Sequence, residues 1–263
     1  MTGLVVATRP HRPDDRRSDS HDRVTPEEIK KHHRTIIEAS EVRTLVLLRE
    51  RTGRRVGEAL VDVGQVLHVT GNIVGTGRVD GSSKRGNGDD ETVAVGALLQ
   101  VGGELTLGAV HLFALGQNYA GAALLRQLVE VEYLMWAFTE NPKDAKKWLD
   151  STPPERQKFF RPVVLRRRSR GRFLDKDYGH HCEMGGHPVP RSMTLLGKAD
   201  PAVVQLLVVD ILLHGWRTAD SAVQWSVQKG LGPMVGGTLA PARSKLTAWG
   251  KRDPLYTLGP SPV

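Results

Sequence analysis

The sequence predicts an all-α protein, a helical bundle with one long buried C-terminal helix. Three observations carry this. Aromatic residues are only 5% of the 263, so the core must be mostly Leu, Val and Ala, which favours helices over a β-sandwich. Apolar residues recur with helical period over most of the chain beyond residue 40. Helix starts are explicit at Thr25-Pro26-Glu27-Glu28 and Asp200-Pro201, where a capping side chain precedes a proline suited to the first turn.

Residues 1–23 mix five Arg and four Asp with Pro, Ser and His and show no apolar period, which predicts a disordered tail. A single helical domain is expected over residues 24–250. Its first helix runs from Thr25 to about Ser40. A second spans Glu41 to about His68, with Gly53, Gly57 and Gly64 as interruptions. Residues 71–90 hold six glycines with Ser, Asn and Asp, and read as a flexible loop. Gly75-Thr-Gly77 within it lacks the G-x-G-x-x-G spacing that aims backbone N–H groups at phosphate. Helices are expected over 91–112 and 114–139, and Asn141-Pro142 starts a short one at 143–149. Pro153-Pro154 opens another, to Phe160. The helix at 200–229 is capped by Asp200 and stopped by Gly230. Its first half is apolar nearly all round, the mark of a central helix. A short helix near 241–249 and a tail over 251–263 complete the chain.

Cys182 is the only cysteine, so no intramolecular disulfide can form and cytoplasmic residence is the simplest expectation. No secretion signal or membrane span is read. The longest apolar run, Val203 to Trp216, is broken by Gln205, Asp210 and His214 and is shorter than the roughly 18 to 20 residues a span needs. The net charge is +8, and residues 155–191 carry +6 of it, with ten Lys/Arg against four Asp/Glu. A basic segment this concentrated points to an anionic partner, RNA or another phosphate-bearing ligand, through Arg166, Arg167, Arg168, Arg170 and Arg172.

The densest chemistry lies at Tyr178 to Pro188, which holds three histidines, Cys182, Glu183 and Tyr178. The His-Glu-x-x-His spacing of a zinc protease is absent. A mixed set of His180, His181, Cys182 and His187 is the alternative that would make a metal-dependent hydrolase. In the earlier helix, Arg126 and Glu130 are four apart among apolar residues, so they must pair.

The pattern A-x-L-L-R-x-L-x-E over Ala122 to Glu130, then Tyr133-Leu134, then Asn141-Pro-x-x-Ala145-x-x-Trp148-Leu149, then Tyr178 and His187-Pro188, resembles uncharacterised bacterial helical proteins. These are similar to the HEPN (higher-eukaryote and prokaryote nucleotide-binding) superfamily. The resemblance covers about residues 114–190. It implies a helical bundle, a homodimer with the site at its interface, no cofactor, and metal-independent RNA cleavage in a defence or toxin–antitoxin setting. Nuclease members carry Arg-x4–6-His. Here the corresponding positions before His187 hold His180, His181 and Cys182. The resemblance therefore assigns proton transfer to His187, its orientation to Tyr178 and Glu130, and phosphate contact to Arg126. The reading from a different class is a non-catalytic scaffold in which Arg126–Glu130 is purely structural.

Overall fold

The computed structural model describes residues 42–256 and, before them, Glu27 alone. The expected tail at 1–23 and the expected helix at 25–40, apart from Glu27, lie outside the described residues, as do residues 257–263. The described chain is helical and without strands, which places it in the all-α class. Nine α-helices are described: α1 (Val42–Ile73), α2 (Asp90–Ala114), α3 (Asn118–Glu140), α4 (Lys143–Asp150), α5 (Pro153–Phe159), α6 (Pro162–Arg168), α7 (Asp175–His181), α8 (Pro201–Gln228) and α9 (Gly232–Gly250). A π-turn at Cys182–Gly186 and a 3-10 turn at Pro190–Leu195 join α7 to α8.

Five long helices form the bundle. α8 is central and packs against α1, α2, α3 and α9. Its buried face runs from Leu207 through Leu212 and Trp216 to Trp225. The short helices α4 to α7 lie between α3 and α8 in sequence, and α6, α7 and the π-turn pack on α3. α2 and α8 are each long and apolar enough to cross a membrane, although no span was read from the sequence. Their most apolar windows are 61% and 72% buried within the bundle.

The expected interruptions at Gly53, Gly57 and Gly64 do not occur, and α1 is one helix of 32 residues. These glycines face α2 instead. A Cβ on Gly57 would stand 3.1 Å from the Gly103 carbonyl oxygen, and one on Gly64 only 2.7 Å from that of Gly96. Gly96 and Gly103 are equally blocked by the Gly64 and Gly57 carbonyls. Gly57, Gly64 and Gly71 recur every seven residues, as do Gly96 and Gly103, so one stripe of each helix lacks side chains and the two backbones touch.

The loop expected to be flexible is tied down at several points. α1 runs to Ile73 and takes its first residues. The Asp89 N–H donates to the Gly71 carbonyl and the Gly77 N–H to that of Gly88. Ser83 and Asn87 donate to buried Asp90, which also pairs with Lys146 of α4. Asp89 caps α2 by accepting from Glu91 and Thr92. The polar residues that suggested a loop here hydrogen-bond to each other rather than to solvent alone.

The C-terminal segment also differs from expectation. α9 has 19 residues, with Pro241 inside it. Residues 251–256, expected within a tail, fold back on the bundle. Asp253 and Leu255 are buried. Arg49 of α1 donates to both Asp253 oxygens, at 2.6 and 2.7 Å, and Trp249 donates its indole N–H to the same carboxylate at 2.5 Å. A buried guanidinium requires such a partner, and the chain supplies it from 204 residues away.

Candidate functional site

Two polar clusters flank α7, both reaching it from α3. Glu130 and Glu132 are two positions apart, which turns their side chains roughly 200° from each other round the helix. One faces each cluster.

The first cluster joins three residues singled out from the sequence. The Arg126 guanidinium donates to Tyr178 Oη at 2.7 Å, and that hydroxyl donates to Glu130 Oε1 at 2.8 Å. Arg126 also pairs with Glu130 directly at 2.8 Å. Arg166 stacks on the Tyr178 ring, 4.3 Å from its centroid. Burial, with Glu130 accepting its hydrogen bond, raises the Tyr178 phenol above its ordinary pKa. Burial works against the charge of Arg126, but Cys182, Glu130 and Tyr178 outweigh it and hold its pKa up. Arg126 is thus matched to a carboxylate already in place.

The π-turn explains how the histidine segment lies against this cluster. A Cβ on Gly185 would collide with the backbone of Ala122 and Ala123, and one on Gly186 would meet the Arg126 side chain. The Gly-Gly pair therefore lets the segment press directly onto α3. His187 follows on the exposed side. Its N–H donates to Cys182, and among the described residues its imidazole has no hydrogen-bond or ion-pair partner. Arg126, Glu130 and Tyr178 are therefore brought together as expected, whereas the His187 ring is not joined to them.

The second cluster was not read from the sequence as a unit. His214 of α8 shares a 2.5 Å hydrogen bond between its Nδ1 and Glu132 Oε2, and both side chains are buried. The His181 ring crosses that of His214 edge-on at 5.1 Å. His181 Nε2 lies 3.8 Å from Asp177 Oδ1, one turn earlier on α7. Asp210 stands one turn before His214 on α8. Burial, with His214 and His180 nearby, pushes His181 down to about 3, so it is neutral. Burial also opposes charge on His214, but Glu132 more than restores it and its pKa is raised. Burial pushes Asp210 up to about 6.

Glu132, Asp177, His180 and His214 line a cavity of about 580 Å³ with Arg172, Lys176 and Arg217. The local metal set of His180, His181, Cys182 and His187 does not assemble. Among the described residues, the ligand atoms that converge are those of Asp177, His181 and His214, all within 4.8 Å of one another. Cys182 lies against Arg126 instead, and His187 points outward. The missed signal was a repeated spacing, Asp177-x3-His181 and Asp210-x3-His214, which puts an acid and an imidazole on one face of each helix.

The basic run divides in two. Arg166 pairs with Asp175 at 2.6 Å and Arg168 with Asp144 at 2.6 Å. Arg167, Arg170 and Arg172 are exposed and have no acidic partner among the described residues. They line a cleft of about 860 Å³ with Arg168, Trp136, Asn141 and one acid, Glu140. Arg172 borders both this cleft and the cavity beneath α7.

No family model, curated protein or solved structure matches this chain.

Proposed function

We propose that this protein binds RNA through the basic cleft beside α6 and α7. The observation that carries the reading is the division of the arginine run. Arg166 and Arg168 are paired with acids, while Arg167, Arg170 and Arg172 have no ion-pair partner among the described residues and line, with Arg168, one open cleft whose single acid is Glu140. Exposed arginines held together in this way repel one another and favour a polyanion that displaces their counterions. Backbone contacts of this kind carry no sequence preference. Arg172 borders both the cleft and the polar cavity, which puts the ionisable groups of that cavity next to the proposed binding surface.

The test is binding of a fluorescent single-stranded RNA by the full chain at several salt concentrations. The triple variant Arg167→Gln/Arg170→Gln/Arg172→Gln should lose most of the affinity, and the slope of log K against log salt should shrink by about 0.7 per phosphate contact removed. Equal binding by wild type and triple variant would refute the reading. The RNA recovered from the same incubation, in chelator, reports on cleavage. Intact RNA with both wild type and His187→Ala would exclude the metal-independent nuclease and leave binding alone.

A further inference from the structure

The two Asp-x3-His pairs have an unusual setting for structural residues. His181 is 2% exposed, and its Nδ1 has no hydrogen-bond partner. Its other nitrogen, Nε2, faces the Asp177 carboxylate from 3.8 Å, beyond direct hydrogen-bond reach. Beside it stand His214, held at Nδ1 by the Glu132 carboxylate, and Asp177, whose side chain is about half exposed. A carboxylate gripping one imidazole nitrogen fixes the ring and leaves the other nitrogen to face a ligand, the usual support for a metal-bound histidine. Three carboxylates, Glu132, Asp177 and Asp210, surround two imidazoles. The cations on the same cavity wall, Arg172, Lys176 and Arg217, line it without belonging to the converging set.

We infer that Asp177, His181 and His214 bind one divalent transition-metal ion, with Glu132 orienting His214. Two nitrogens and one carboxylate oxygen suit zinc and leave a coordination position open. Tetrahedral ligands about 2.1 Å from zinc stand about 3.4 Å apart. The 3.8 Å between His181 Nε2 and Asp177 Oδ1 is already close to that, and the widest separation in the set is no more than 4.8 Å. Rotation of the exposed Asp177 side chain supplies much of the closure. The bound ion would face the cavity of about 580 Å³, which has room for a small anionic ligand.

This site is independent of the RNA reading, and either can fail alone. The experiment is calorimetric titration of chelator-stripped, full-length protein with Zn²⁺, and with Co²⁺ for its absorption spectrum. Wild type should take up one tightly held ion. His181→Ala and His214→Ala should weaken it by at least 100-fold, and Glu132→Gln by 10- to 100-fold. Asp177→Asn removes a ligand from an exposed position without opening the core, so it keeps the test valid if a histidine variant fails to fold. His11, His21, His32 and His33 are present in every variant, so any ion they hold is a constant background. The double variant Arg167→Gln/Arg170→Gln, which leaves the cavity wall intact, should bind the ion as wild type does. Absence of tight binding by wild type, or binding unchanged in both Asp177→Asn and a folded His181→Ala, would overturn the assignment.

Discussion

The glycine seam between α1 and α2 makes a quantitative prediction against ordinary helix propensity. Gly64→Ala should stabilise α1 by about 1 kcal/mol if only propensity mattered. The added Cβ, however, would stand 2.7 Å from the Gly96 carbonyl oxygen and 2.8 Å from the Gln100 backbone nitrogen. Both obstacles are main chain and cannot rotate away, so the helices must part. Overpacking costs about 1–3 kcal/mol, and more where the backbone must shift. Taking about 3 kcal/mol for a clash with two backbone atoms, the net loss is about 2 kcal/mol. At 2–4 °C per kcal/mol for a domain of this size, the melting temperature should fall by roughly 4–8 °C. Gly236→Ala is the matched control, because nothing lies within 4 Å of its Cβ position in α9. It should gain about 0.5–1 kcal/mol and raise the midpoint by roughly 1–4 °C. Thermal melts followed by circular dichroism at fixed protein concentration measure both. A Gly64→Ala midpoint at or above wild type, with Gly236→Ala behaving as stated, would refute close backbone contact at the seam.

Other consequences can be checked in the same way. Asp253→Ala leaves the buried Arg49 guanidinium without its carboxylate and should cost about 3–5 kcal/mol in a denaturant titration. A loss under 1 kcal/mol would mean that Arg49 reaches solvent. Burial alone would raise Asp90, but Lys146, Ser83 and Asn87 together hold it below its ordinary value of 3.8. A carboxylate depressed on folding stabilises the protein above its unfolded pKa, and that contribution disappears as pH falls through the lower folded value. Asp90→Asn should therefore cost about 1–3 kcal/mol at pH 7, and the two stability curves should converge below about pH 3.8, whereas a gap constant with pH would contradict the ion-pair account. Gly185→Ala should disrupt the packing of the π-turn on Ala122 and lower stability by about 2 kcal/mol or more. Unaltered thermal stability would show that the turn can lift off α3.

Much of the architecture was legible because helix signals are local. Asp200-Pro201 and Gly230 bracket α8 closely, and Asn141-Pro142 marks the break between α3 and α4. The Arg126–Glu130 pair was also legible, since spacing alone puts both on one face, and Tyr178 does join it. The glycines of α1 were misleading. Low helix propensity is a property of the isolated residue, whereas the benefit of Gly64 depends on Gly96, which lies 32 positions away. The second cluster was hidden for the same reason. Glu132, His181 and His214 come from three helices, and Asp210 and His214 looked only like breaks in an apolar run. Their meaning appears once α8 is known to lie against α3.

The clasp between Arg49 and Asp253 sets an order of events during synthesis. The α1–α2 hairpin can form as soon as residue 114 is available, because its glycine seam needs no other part of the chain. The other faces of α1 must wait for α8 and α9, and Arg49 waits for residue 253. At about 5–20 residues per second, that interval is on the order of ten seconds. Throughout it the nascent hairpin lacks the cover that Leu212 and Gly215 of α8 give to Gly53 and Val56, and carries an arginine whose final partner does not yet exist. The core is therefore completed only once residue 253 is available, and chaperone dependence should track the residence time of that exposed hairpin.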